Sequence, residues 1–153
     1  MQMEKDGEQF YRELAAKVKD EGVARILVML ADDEVKHYHI LSRMQQGAPS
    51  MTETSVLKDA KNVFQQMKGK RSGFAFDVSQ KEGLKKALEI EERSERFYLE
   101  KSKEVETDAH GDLLRRIADE ERRHVHLLDH MIEFAARPES WLDNAEFSNL
   151  EDY

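Results

Sequence analysis

Polar and apolar positions alternate with the period of an α-helix over most of the chain. Phe10, Leu14 and Val18 share one face of a helix that begins near Met3. The stretch KDEG at 19–22 breaks that period and reverses the chain. A second run starts near Val23, carries Ile26, Leu27, Leu30, Leu41 and Met44, and ends at GAPS, 47–50. A third begins at Ser79, which has the capping-box spacing to Glu82, and sets Leu84, Leu88, Tyr98 and Ser102 on one stripe. After ETDAHG, read as a turn at 106–111, a fourth run carries Leu113, Leu114, Ile117, Leu128 and Met131 and closes at Pro138.

Between the second and third runs, Ser50 and Glu53 form another capping-box pair. Val56, Ala60, Val63 and Met67 then keep helical spacing, which predicts a fifth, amphipathic helix followed by a flexible GKRSGFAFD, 69–77. Two antiparallel hairpins joined by one long crossover have the connectivity of a ferritin-like four-helix bundle. The expected fold is therefore all-α. Residues 1–136 form the bundle, with the crossover and its extra helix at 47–78. Residues 137–153 form a tail, carrying Trp141, Leu142, Phe147, Leu150 and Tyr153, that packs on the bundle or on a partner subunit.

The two hairpins are copies of one design. Glu4 and Glu91, Glu34 and Glu121, and His37 and His124 are each 87 residues apart, and so are Tyr11 and Tyr98, Asp32 and Asp119, and His39 and His126.

Composition narrows the chemistry. Charged residues make up 37% and hydrophobic residues 39%, while seven glycines and two prolines leave little room for many-turned β folds. A net charge of −8 disfavours nucleic acid as a partner. The absence of cysteine excludes disulfides, Cys-bound zinc and iron, and thiol catalysis. No apolar run is long enough for a membrane span, and MQMEKDGEQF has no apolar signal core, so a cytoplasmic protein is expected.

What remains is a constellation of acids and imidazoles. Glu34 with His37, and Glu121 with His124, are three apart and share a helix face. Glu4 and Glu91 come from the other two helices. A lone E-x-x-H is commonly a surface pair, but two copies, each preceded by a matching Glu, point to metal ligation. Four carboxylates and two imidazoles projecting into a bundle are the donor set of di-iron and di-manganese carboxylate proteins. Isolated buried carboxylates are very costly, and two divalent cations would neutralise four of them. Asp32 and Asp119, two residues before each ligand Glu, are candidates to orient a histidine of the opposite hairpin. Tyr11 and Tyr98 are candidates to hydrogen-bond or gate the cluster. Glu8 and Glu95 are either extra ligands or polar helix residues. His39 and His126 point away from the ligands as surface or interface residues, and the His126–His130 pair reads as structural.

The motifs EKDGEQFY with ADDEVKH, and EERSERFY with ADEERRH, resemble the rubrerythrin branch of the ferritin-like superfamily over both hairpins. The resemblance implies that Glu4, Glu34, His37, Glu91, Glu121 and His124 hold two iron ions, with manganese or a mixed pair as variants. It also implies a non-haem di-iron peroxidase that serves oxidative-stress defence by reducing hydrogen peroxide. In that reading the same six residues, with Tyr11 and Tyr98, carry the catalysis. Rubrerythrins have a further Glu three residues after the position of Glu91; here it is Ser94. They also carry a rubredoxin-like domain, absent here, so electrons are expected from an external donor such as a rubredoxin-type protein. A ferroxidase using dioxygen or peroxide, and a metal-binding module without turnover, are the alternatives. A homodimer is the expected assembly, and the long crossover leaves open an exchange of hairpins between its two chains.

Overall fold

A computed structural model describes residues 1–47, 49–68 and 76–153. Its elements are α1 (Gln2–Lys17), α2 (Glu21–Arg43), α3 (Val56–Met67), α4 (Val78–Glu104), α5 (Asp108–Ala136) and α6 (Pro138–Asp143), with short 3-10 turns at Met44–Gln46 and Glu146–Asn149. Among the described residues there is no strand. The architecture is an all-α, ferritin-like bundle. α1 pairs with α2 and α4 with α5, and α3 of the crossover packs on α2 and α5. No described helix is long and apolar enough to cross a membrane.

Capping explains where the helices begin, and it corrects three expectations. α4 starts at Asp77, whose side chain accepts from the Gln80 N–H while Gln80 returns a bond to the Asp77 N–H. That box precedes the expected Ser79–Glu82 pair, and it also lets Gln80 donate to the Lys17 carbonyl, tying α4 to the end of α1. α3 starts at Val56, so the Ser50–Glu53 pair caps nothing. The expected turn at 106–111 is shorter: Thr107 caps α5 by accepting from the His110 N–H, so Asp108 to Gly111 are already helical. The 3-10 turn that follows α2 ends at Gly47, whose φ of 144° lies in the region that glycine enters without strain. Of the expected flexible stretch 69–77, residues 69–75 lie outside the described residues.

Two apolar clusters fill the bundle. The larger joins Leu27 and Leu30 of α2 with Phe64, Phe134, Trp141 and Phe147. The smaller joins Ile40, Tyr98, Leu113, Leu114 and Ile117. Along both α2 and α5 the polar site lies between them, since Glu34 and His37 follow Leu30 and precede Ile40, and Glu121 and His124 follow Ile117 and precede Leu127. The C-terminal residues fold back on the bundle. Trp141, Leu142, Phe147 and Leu150 are buried, and His126 Nε2 donates to the Leu150 carbonyl at 3.0 Å.

Candidate metal centre

Each long helix delivers one acid to the middle of the bundle: Glu4 from α1, Glu34 from α2, Glu91 from α4 and Glu121 from α5. His37 and His124 arrive one turn further along α2 and α5. All six side chains are buried, each no more than 5% exposed. Glu34, Glu91, Glu121 and His124 bring ligand atoms within 4.8 Å of one another. His37 joins through Nδ1, 2.9 Å from Glu121 Oε1. Glu4 stands apart from this group, with the Met1 α-amino group 3.0 Å from its Oε1.

The two imidazoles present the same edge inward. His37 Nε2 donates to Glu120 Oε1 at 2.9 Å, and His124 Nε2 donates to Asp33 Oδ2 at 2.8 Å. That leaves each Nδ1 facing the acids, with His124 Nδ1 3.2 Å from Glu91 Oε1. The rings lie 6.1 Å apart and nearly parallel, at 21°. An imidazole fixed through one nitrogen by a carboxylate, with the other nitrogen free to ligate, is the usual arrangement at a metal.

These orienting acids correct an expectation. Asp32 and Asp119 face outward, paired with Arg12 and Arg123. Asp33 and Glu120, one residue on, do the orienting, and each reaches the histidine of the opposite hairpin. Asp33 and Glu120 are themselves 87 residues apart, and the signal was an acid conserved in kind but not in identity between the two copies. Thr54 also escaped sequence reasoning: its N–H donates to Glu120 Oε2 and its hydroxyl to Asp33 Oδ2.

The tyrosines differ. Tyr11 donates to Glu91 Oε1 at 2.5 Å, whereas the Tyr98 hydroxyl is buried without a hydrogen-bond partner. Glu8 pairs with Arg12 on the surface side, and Glu95 is half-buried with no place in the cluster. Ser94 is buried. Its counterpart Gly7 leaves room for Glu34, because a Cβ there would lie 3.3 Å from Glu34 Cδ. His39 is exposed and lines, with Lys5, Glu8, Val35 and Tyr38, a cavity of about 230 Å³ that reaches Glu34. His130 packs edge-on to His126 and near Trp141.

Electrostatics test whether the donor set suits a cation. Burial, then the charges of Glu121 and Glu91, push the Glu34 carboxyl well above its ordinary range. Burial and Glu91 do the same to Glu121. For Glu91, burial is outweighed by His124, by hydrogen bonds from Glu121 and His124, and by Tyr11, which hold it at about 2. For His124, burial is outweighed by the charge of Glu91 and the bond to Asp33, so its pKa rises well above the usual value. Without a cation the cluster therefore takes up protons to offset its own charge. Of the buried ligand atoms, Glu91 Oε2 has no hydrogen-bond partner, and His37 Nδ1 has Glu121 Oε1 beside it. Carboxylate oxygens and imidazole nitrogens turned toward one another fit hard divalent metal ions such as iron or manganese.

The rubrerythrin family model matches residues 1–132, which take in all six candidate ligands and the residues that orient them. No curated protein and no solved structure matches the chain.

Proposed function

The chain belongs to the rubrerythrin family, a family of ferritin-like, di-iron proteins, and from that premise we propose that it is a non-haem di-iron peroxidase that reduces hydrogen peroxide with electrons from a separate donor protein. The observation that carries the reading is the buried group of Glu34, Glu91 and Glu121 carboxylates beside two imidazoles that both turn Nδ1 inward.

Glu34, Glu91, Glu121 and His124 would hold iron, with His37 beside Glu121 and Glu4 at the α1 end. Bound there, iron would supply the two electrons that split the O–O bond, so that H2O2, two electrons and two protons give two waters. The protein's part is positional and electrostatic. Glu34 and Glu121 give up their protons as cations load, which makes metal binding proton-coupled. Tyr11 keeps its own proton, because burial and the Glu91 charge raise its pKa, and it holds Glu91 in one orientation. Asp33 and Glu120 keep the Nε2 protons in place, so that each Nδ1 stays a ligand. The cavity beside Tyr38 and His39 gives a molecule the size of peroxide a route to Glu34. Apolar clusters on both sides exclude bulk water elsewhere. With no cysteine in the chain, the electrons that close the cycle come from outside it.

The test is anaerobic loading with Fe(II), a count of iron per chain, and stopped-flow mixing with peroxide or with dioxygen. Two irons per chain and much faster oxidation by peroxide are expected. Faster oxidation by dioxygen with continued iron uptake would replace this reading with a ferroxidase. Redox-inert loaded protein would replace it with a binding module.

A further inference from the structure

The crossover between the hairpins crosses the seam of α2 and α5 directly outside the two histidines. Residues 51–54 are pinned there from both helices. Arg116 of α5 donates to the Met51 carbonyl at 2.6 Å, and Lys36 of α2 donates to the Thr52 carbonyl at 3.1 Å. Arg123 of α5 donates to Glu53 at 2.6 Å. Lys36 and Arg123 are repeat partners, 87 residues apart, so the two halves grip one strap with equivalent cations. Thr54 follows, and both of its donors go to acids that orient a histidine. The N–H bonds Glu120 Oε2 at 2.8 Å and the hydroxyl bonds Asp33 Oδ2 at 2.5 Å.

We propose that Thr54 is a positioning residue for the metal centre, holding through its backbone N–H the carboxylate that orients His37 and through its hydroxyl the carboxylate that orients His124. The proposal rests on the metal-centre reading above and deepens it. Glu120 Oε1 is already taken by His37 and by Lys36, 2.7 Å away, so its second oxygen needs another donor, and Thr54 supplies it. Asp33 is less enclosed, with its side chain 17% exposed. The Thr54 hydroxyl bonds the same Oδ2 that takes the His124 ring, and so holds that oxygen in place. Its own lone pair accepts from the Val56 N–H at 3.2 Å, which fixes the direction of the O–H. The duplicated halves thus make two separate acid–imidazole pairs, and one unduplicated residue couples them.

The two donors can be separated. Thr54→Val deletes the hydroxyl and keeps the N–H, so it loosens the Asp33–His124 pair and spares Glu120–His37. Thr54→Ser restores the hydroxyl, and Thr54→Ala is a second hydroxyl deletion that adds no bulk and also removes the methyl group. Two measurements read the outcome: imidazole 15N shifts of the chelator-treated protein, and anaerobic Fe(II) titration of the same variants. Expected are altered His124 signals beside unaltered His37 signals, and one of two ions bound about tenfold or more weakly, for Val and Ala but not Ser. Parental signals and affinities in whichever hydroxyl deletion folds would overturn the proposal. So would equal perturbation of both imidazoles, which a general loss of packing would produce. Should the parent protein bind no pair of ions, the function proposed above fails, and the imidazole shifts still decide the role of Thr54.

Discussion

Tyr11 and Tyr98 stand at equivalent places in the two hairpins and both are buried, but only Tyr11 reaches a carboxylate. The reason lies in the partner. Glu91 sits mid-way along α4, braced by helix on both sides, and accepts a hydrogen bond from Tyr11. Its counterpart Glu4 is in the first turn of α1, turned toward the Met1 amino group. The halves diverge elsewhere too, with Asp33 against Glu120 and Gly7 against Ser94. Duplication places like donors around a centre, but each half then fits its surroundings to a different length of helix, a different loop and a different neighbour.

That asymmetry can be broken experimentally. The largest effect is expected from Glu91→Ala, which removes a firmly held acid from the middle of the cluster. Anaerobic Fe(II) titration should show a loss beyond the roughly 100-fold that marks the upper range for orienting groups. Glu4→Ala should cost distinctly less, and equal losses would mean that the two halves serve the centre alike. Next in size are the tyrosines. Tyr11→Phe deletes a bond to an ionised group and should destabilise the chelator-treated protein by about 1.5–3 kcal/mol. Tyr98→Phe removes an unpartnered buried hydroxyl and should be neutral or slightly stabilising, as read by urea unfolding.

The pH response should be shared between the halves. Glu34 and Glu121, one from each, have folded pKa values raised above the unfolded 4.5, so the folded state holds protons that the unfolded state releases. Stability of the chelator-treated protein must therefore fall as pH rises above about 4.5. His124, raised above 6.5, adds to the loss from that pH upward. Asp33 and Glu91, lowered to about 2, act in the opposite sense and lose their contribution only as pH falls toward 2. Thermal unfolding between pH 5 and 8 should show the decline, and Glu34→Gln or Glu121→Gln should each flatten part of it. The smallest difference is expected at Gly7 and Ser94. Gly7→Ala gains about 1 kcal/mol of helix propensity, but its methyl group crowds Glu34. Its net effect on unfolding should stay within about 1 kcal/mol, as should that of Ser94→Ala.

Much of this arrangement was legible in the sequence. Helical periodicity gave the four long helices and α3, because each buries one apolar stripe. The repeat at 87 residues drew attention to the side chains that the bundle brings together. Helix starts were less legible, because Asp77–Gln80 and Ser79–Glu82 have the same three-residue spacing and only the fold decides between them. The orienting acids were missed for a related reason: identity between the copies favoured Asp32 and Asp119, while the cross-helix geometry uses an Asp in one copy and a Glu in the other. Thr54 gave no periodic signal at all, since it lies in an extended segment whose hydrogen bonds go to residues 21 and 66 positions away.

Trp141 is the chain's single tryptophan, and it is buried against Phe64, Phe134 and Phe147, with the His130 ring 6.2 Å away. The fold has thereby installed one optical reporter, placed on the docked C-terminal segment among the apolar side chains of the larger cluster. Its emission will follow the seating of that segment. Burial and His126 hold the His130 pKa below its ordinary value, so proton-dependent quenching by that ring should set in at more acidic pH than beside a solvated histidine.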